Sequence, residues 1–120
     1  MSALRTITVP TLDYGPVTMP EPAWCVSDHQ PAGYRNDTIH SGPEVTHDFD
    51  GHELFTASLV GYPYSASGGP RLGVSVDLGS IGQTLDPTEL DRLAAAFVES
   101  AVRLRALARE LTALKAGGDR

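Results

Sequence analysis

The chain has one cysteine, Cys25, and so no partner for an internal disulfide. That excludes the stapled scaffold by which small secreted domains replace a core. No apolar run near the N-terminus resembles a signal peptide, and the longest run, Leu93 to Val98, is too short to span a bilayer. A soluble cytoplasmic protein is expected, without membrane contact. Basic charge is scarce before the C-terminal region: residues 1–86 hold three basic side chains, Arg5, Arg35 and Arg71, against ten acidic ones. An acidic body repels phosphate backbones, so nucleic-acid binding starts at a disadvantage.

Imidazole and thiolate are missing from three quarters of the chain. Cys25, His29, His40, His47 and His52 all fall within one short stretch. A transition metal requires such convergence, and one thiolate with two or three imidazoles suits tetrahedral zinc. The candidate ligands are Cys25, His29, His40 and His47, with Asp28 and Asp37 available to brace them. Ordering a coil segment costs roughly 1–2 kcal/mol per residue. A structural zinc contributes on the order of 10–16 kcal/mol, enough to make a segment poor in large apolar groups hold one shape. The alternative is a set of hydrogen-bonding histidines beside a buried cysteine.

At 120 residues the chain is read as one domain. Residues 4–10 are β-branched, stop at Pro10 and predict a strand. Residues 11–43, broken by Pro16, Pro20, Pro22, Pro31 and Pro43, predict an irregular segment holding the candidate metal site. Residues 44–78 predict antiparallel strands. Asp50-Gly51 is a hairpin turn signal. A plain two-residue turn would put Val45, His47, Phe49, His52 and Leu54 on one face, and Phe55, Ala57 and Leu59 on the other. Ser65 to Pro70 reads as a loop, and Leu72, Val74, Val76 and Leu78 alternate as the inward face of a half-buried strand.

Residues 86–116 predict a long helix, with Asp86 as N-cap, Pro87 in the first turn and Glu89 completing a capping box. Gly117-Gly118 would stop it. Leu90, Phe97, Leu104 and Leu111 recur every seven residues. The expected architecture is α+β: a small, mainly antiparallel sheet of three to four strands, packed by one long C-terminal helix. The helix outruns such strands, so Leu104, Leu107, Leu111 and Leu114 should be bare in a monomer. They predict a homodimer or protein partner.

Pro22-Ala23-Trp24-Cys25-Val26-Ser27-Asp28-His29, followed by His40-Ser41-Gly42-Pro43-Glu44, resembles an uncharacterised actinobacterial domain family, a domain of unknown function. The resemblance implies an actinobacterial cytoplasmic protein and points to Cys25, His29 and His40. Many members of that family begin Cys-Pro-x-Trp-Cys. Here Glu21 stands at the first position, so the second thiolate is missing.

Enzyme signatures are absent from the sequence. Thr56 stands where a second histidine would follow His52-Glu53 in a zinc-protease helix, and no glycine-rich turn ends in a P-loop lysine. The leading functional expectation is a non-enzymatic interaction or regulatory module, zinc-stabilised and dimeric through its helix. The first alternative is a small zinc-dependent hydrolase, with Cys25, His29 and His40 holding metal and Glu44 as base. The second is a nucleic-acid-binding regulator using Arg103, Arg105 and Arg109.

Overall fold

The protein is described by a computed structural model, which covers residues 5–29, 31–65 and 71–117. Two antiparallel sheets and one helix make an α+β fold. β1 (Arg5–Thr11) pairs with β2 (Gly15–Glu21) in a two-stranded ribbon. A 3-10 turn (Arg35–Asp37) leads to the four-stranded sheet. That sheet contains β3 (His40–Ser41), β4 (Val45–Phe49), β5 (His52–Tyr62) and β6 (Arg71–Leu78). β3 and β4 both pair with β5, as does β6. The long helix α1 (Pro87–Gly117) follows.

β2 corrects the expectation that 11–43 is irregular throughout. Its prolines hid a period of two: Val17, Met19 and Glu21 share one face, with Met19 and Glu21 buried. In a two-stranded ribbon both strands are edges, so Pro10 opposite Pro16, and Pro20 opposite Thr6, remove no inner ladder bond. Thr11 ties the turn by donating its hydroxyl to the Gly15 carbonyl at 2.6 Å.

The β4–β5 hairpin turns at Asp50-Gly51 with φ of 47° and 79°, as a turn needing two positive φ values demands. Its faces differ from those expected. A bulge slips the register after Asp48–Glu53, so that His47 opposes Phe55 and Leu54 is the extra residue. One inserted residue reverses the facing of everything beyond it. Phe55, Ala57 and Leu59 therefore join Val45, His47 and Phe49 on one face.

The core lies on that face. Phe49, Leu54, Phe55 and Ala57 pack against Leu107 of α1, with Val45, Val74, Leu93, Ala96 and Leu104 around them. Asp86 caps α1 by accepting from the Glu89 amide at 2.8 Å, and the Glu89 carboxylate accepts from the Asp86 amide at 3.0 Å. Gly118, the second half of the expected helix stop, lies outside the described residues, as do residues 66–70 of the expected loop.

The helical stripe is used differently from the expectation. Leu107 is 9% exposed because it belongs to the chain's own core, and Leu104, Leu111 and Leu114 are half-buried. The bare apolar residues are Leu90, Phe97, Val98 and Val102, each more than half exposed. The radius of gyration is 18.0 Å, against about 14 Å for a compact chain of this length. The helix and the ribbon extend the molecule beyond its small core.

Candidate metal centre

The distal end of the core face belongs to the segment after β2. Trp24 lies over Gly42 and Gly61, where a Cβ would meet its ring at 3.5 and 3.4 Å. These glycines let the indole sit flat against β5. The next residue, Cys25, is buried, and its amide donates to the Pro22 carbonyl at 3.0 Å. Val26 donates to the Ser41 carbonyl at 2.8 Å, fastening the segment to β3.

Four side chains converge beneath this tie. Glu21 ends β2, Cys25 and His29 follow it, and His40 opens β3. One ligand atom from each lies within 4.8 Å of all the others. Cys25 Sγ is 3.8 Å from His29 Nε2, which is 3.2 and 3.3 Å from the two Glu21 oxygens. His40 Nδ1 is 2.8 Å from Glu21 Oε1. The His29, His40 and Glu21 side chains are 3, 5 and 6% exposed. The imidazoles meet edge to face at 5.2 Å and 88°, so their planes do not compete for one volume.

These separations, from 2.8 Å up to the 4.8 Å limit, bracket those of a tetrahedral ion. Bonds of about 2.0–2.1 Å to nitrogen and oxygen and about 2.3 Å to sulfur put ligand atoms about 3.3–3.6 Å apart. His40 Nδ1 carries further information. Although close to Glu21 Oε1, it lacks hydrogen-bond alignment with that oxygen and has no other partner among the described residues. A buried polar atom so left is costly. Two lone pairs directed at a common third atom would have this arrangement.

The surroundings also prepare a thiolate. Backbone N–H groups of Ser27 and Ser41 point at the Cys25 sulfur and favour its charged form. Without a cation they do not prevail. Burial, then the hydrogen bond to the Glu21 carboxylate, pushes the Cys25 thiol above its ordinary value. Burial alone would also raise Glu21, but hydrogen bonds from Cys25 and His29, with both imidazoles nearby, hold it below its usual range. Burial pushes His40 down, against the pull of Glu21. The metal-free cluster is therefore a thiol, a carboxylate and a neutral His40, and a divalent cation would draw off the thiol proton.

His29 adopts φ 58°, uncommon for a residue with a Cβ, and its amide donates to Ser27 Oγ at 3.1 Å. The turn it makes brings its ring back to Cys25. Such strain persists only where the surroundings over-determine it.

The structure thus brings Cys25, His29 and His40 together and adds Glu21. His47 is elsewhere. It sits on β4 under the helix, with Nδ1 hydrogen-bonded to Ser100 Oγ and Nε2 3.7 Å from Glu99. His52 meets Gln83 near the hairpin turn. Asp28 and Glu44 are exposed outside the cluster. Glu21 is the cluster member that sequence reasoning misses, although it stands four residues before Cys25, where the resembled family has a cysteine.

A family model for a domain of unknown function, DUF6907, matches residues 6–113. The chain belongs to the DUF6907 family. The match spans the ribbon, the four converging side chains, the sheet and most of α1, so one family unit includes both cluster and helix. No curated protein and no solved structure matches the chain. No helix among the described residues is long and apolar enough to cross a membrane.

Proposed function

We propose that this DUF6907 chain is a non-enzymatic interaction module whose N-terminal segment is locked by one zinc ion bound to Glu21, Cys25, His29 and His40. The observation that carries this reading is the mutual approach of four buried or shielded ligand atoms within 4.8 Å. The set is one thiolate, two imidazoles and one carboxylate, all of them zinc donors.

Four protein ligands would fill a tetrahedron. A hydrolytic zinc keeps a position for water, and here Glu21 takes that position. Glu44, the expected base, is exposed and outside the cluster. The ion would act on shape: it would join the end of β2 to the start of β3 and hold Trp24 against the sheet. The module's contact surface is the exposed flank of α1. On the resemblance of the Trp-Cys-x-x-Asp-His segment we place the protein in an actinobacterial cytoplasm.

Cobalt(II) substitution tests the ligand set. The expected spectrum has d–d bands of tetrahedral strength and a thiolate charge-transfer band that disappears in Cys25→Ser. A weak octahedral spectrum in wild type, unchanged by Cys25→Ser, contradicts the assignment.

A further inference from the structure

β6 is an edge strand: it pairs with β5, and among the described residues nothing pairs with its other side. It runs Arg-Leu-Gly-Val-Ser-Val-Asp-Leu without the lysine, proline or bulge by which proteins protect a free edge. Val74 packs on the core, so Val76 and Leu78 face the helix side as well. Yet they are 43 and 80% exposed.

The helix explains why they are bare. Its flank toward β4 is fastened by His47 to Ser100 and by Arg92 to Asp50 at 2.7 Å. The opposite flank carries Leu90 and Phe97 and borders a groove of about 480 Å³ shared with Leu78. The open strand edge and the bare helix flank therefore lie on the same side of the molecule.

We propose that a second copy of this chain covers that side, with β6 pairing antiparallel to β6 of the copy and the two α1 helices running antiparallel beside each other. This deepens the interaction-module reading above and rests on it. Symmetry links the two contacts. Antiparallel pairing of identical edges requires a twofold axis perpendicular to the sheet. That operation keeps both helices on one face of the continuous sheet, reverses their directions and turns their Leu90–Phe97 flanks toward each other.

Charge supports the same arrangement. In residues 87–102 of α1, Glu89, Asp91 and Glu99 against Arg92 leave −2; in residues 103–117, Arg103, Arg105, Arg109 and Lys115 against Glu110 leave +3. Antiparallel helices match these halves. Asp91, Val98 and Arg105 lie on one row of the helix, seven residues apart. Among the described residues neither Asp91 nor Arg105 has an ion-pair partner. An antiparallel crossing of the Leu90–Phe97 flanks level with Val98 would put Asp91 beside the partner's Arg105 on the solvent-side rim of the contact, twice by symmetry.

Sedimentation of zinc-replete protein over a concentration series tests this. The expected species has twice the 12.8 kDa chain mass. Asp91→Arg and Arg105→Asp should each weaken the dimer about tenfold, from two repulsive contacts of the order of surface ion pairs, and the double swap should restore it. These exposed sites should leave folding intact, as circular dichroism checks. A monomer at every concentration overturns the proposal, and so does a dimer that neither single swap weakens. Metal content is measured on the same samples. A zinc-bearing monomer contradicts the dimer alone; a zinc-free dimer contradicts the zinc reading alone.

Discussion

Glu21 Oε1 and His40 Nδ1 lie 2.8 Å apart at the junction of the two sheets, without hydrogen-bond alignment. This contact links the end of the ribbon to the first strand of the main sheet. Its meaning differs between two chemistries. As a metal-free contact it leaves a buried nitrogen unpaired; as two ligands of one ion it is satisfied.

Glu21 is therefore the most informative position to change. Glu21→Ala should weaken zinc binding at least about tenfold, since one of four bonds is removed. Glu21→Cys should bind zinc more tightly than wild type, because a thiolate replaces a carboxylate at a position already aimed at the ion. Competition against a chromogenic chelator measures both. Equal affinity across the three proteins would remove Glu21 from the ligand set.

His47→Ala should separate structure from metal. The variant leaves the Ser100 hydroxyl with its bond to the Ala96 carbonyl at 3.0 Å but opens space beneath the helix. A loss of about 1–3 kcal/mol in denaturant unfolding is expected from the broken buried hydrogen bond. Zinc content should remain at wild-type level. Loss of zinc in a folded His47→Ala protein would contradict the four-residue set.

Acid should destabilise the metal-free protein in two stages. The folded pKa of His40 is depressed below 6.5, so as pH falls through 6.5 the unfolded chain binds a proton that the folded chain resists, and stability falls. Glu21 is depressed below 4.5, so its contribution is present above that value and is lost as pH falls through the folded pKa. Cys25, raised above 9.0, acts oppositely: its contribution is present below 9.0 and lost as pH rises through the folded pKa. Thermal melts of chelator-treated protein should show a plateau between about pH 7 and 9 that declines on both sides. A melting temperature flat from pH 7 to 4 would contradict this.

Gly79 should tolerate no side chain. Its amide donates to the Leu54 carbonyl at 2.9 Å, and a Cβ would fall 1.6 Å from the Glu53 carbonyl oxygen. Backbone on both sides must shift, so Gly79→Ala should cost more than about 2 kcal/mol. Gly82→Ala meets nothing within 4 Å and serves as the control. Equal stability of the two variants would contradict the close approach.

Particular residues show where the sequence was readable. Asp86, Pro87 and Glu89 announced the start of α1 because capping is local chemistry. Asp50-Gly51 announced its turn for the same reason. The clustering of Cys25, His29 and His40 was visible because soft ligands are rare. Glu21 was not, because carboxylates are common and its membership depends on β2 pairing with β1. The bulge at Leu54 left no local mark, and it decides which face Phe55, Ala57 and Leu59 occupy. The stripe through Leu104 and Leu107 was legible as apolar, but periodicity does not say which part of a stripe the chain's own sheet covers.

Everything proposed for the N-terminal segment depends on zinc held by these four side chains. Native mass spectrometry with elemental analysis, on tag-free wild type and Cys25→Ala, is the decisive test. About one zinc per wild-type chain and none in the variant are expected, in keeping with a folding-coupled structural site. Folded wild-type protein without metal, still metal-free after incubation with zinc, would contradict it.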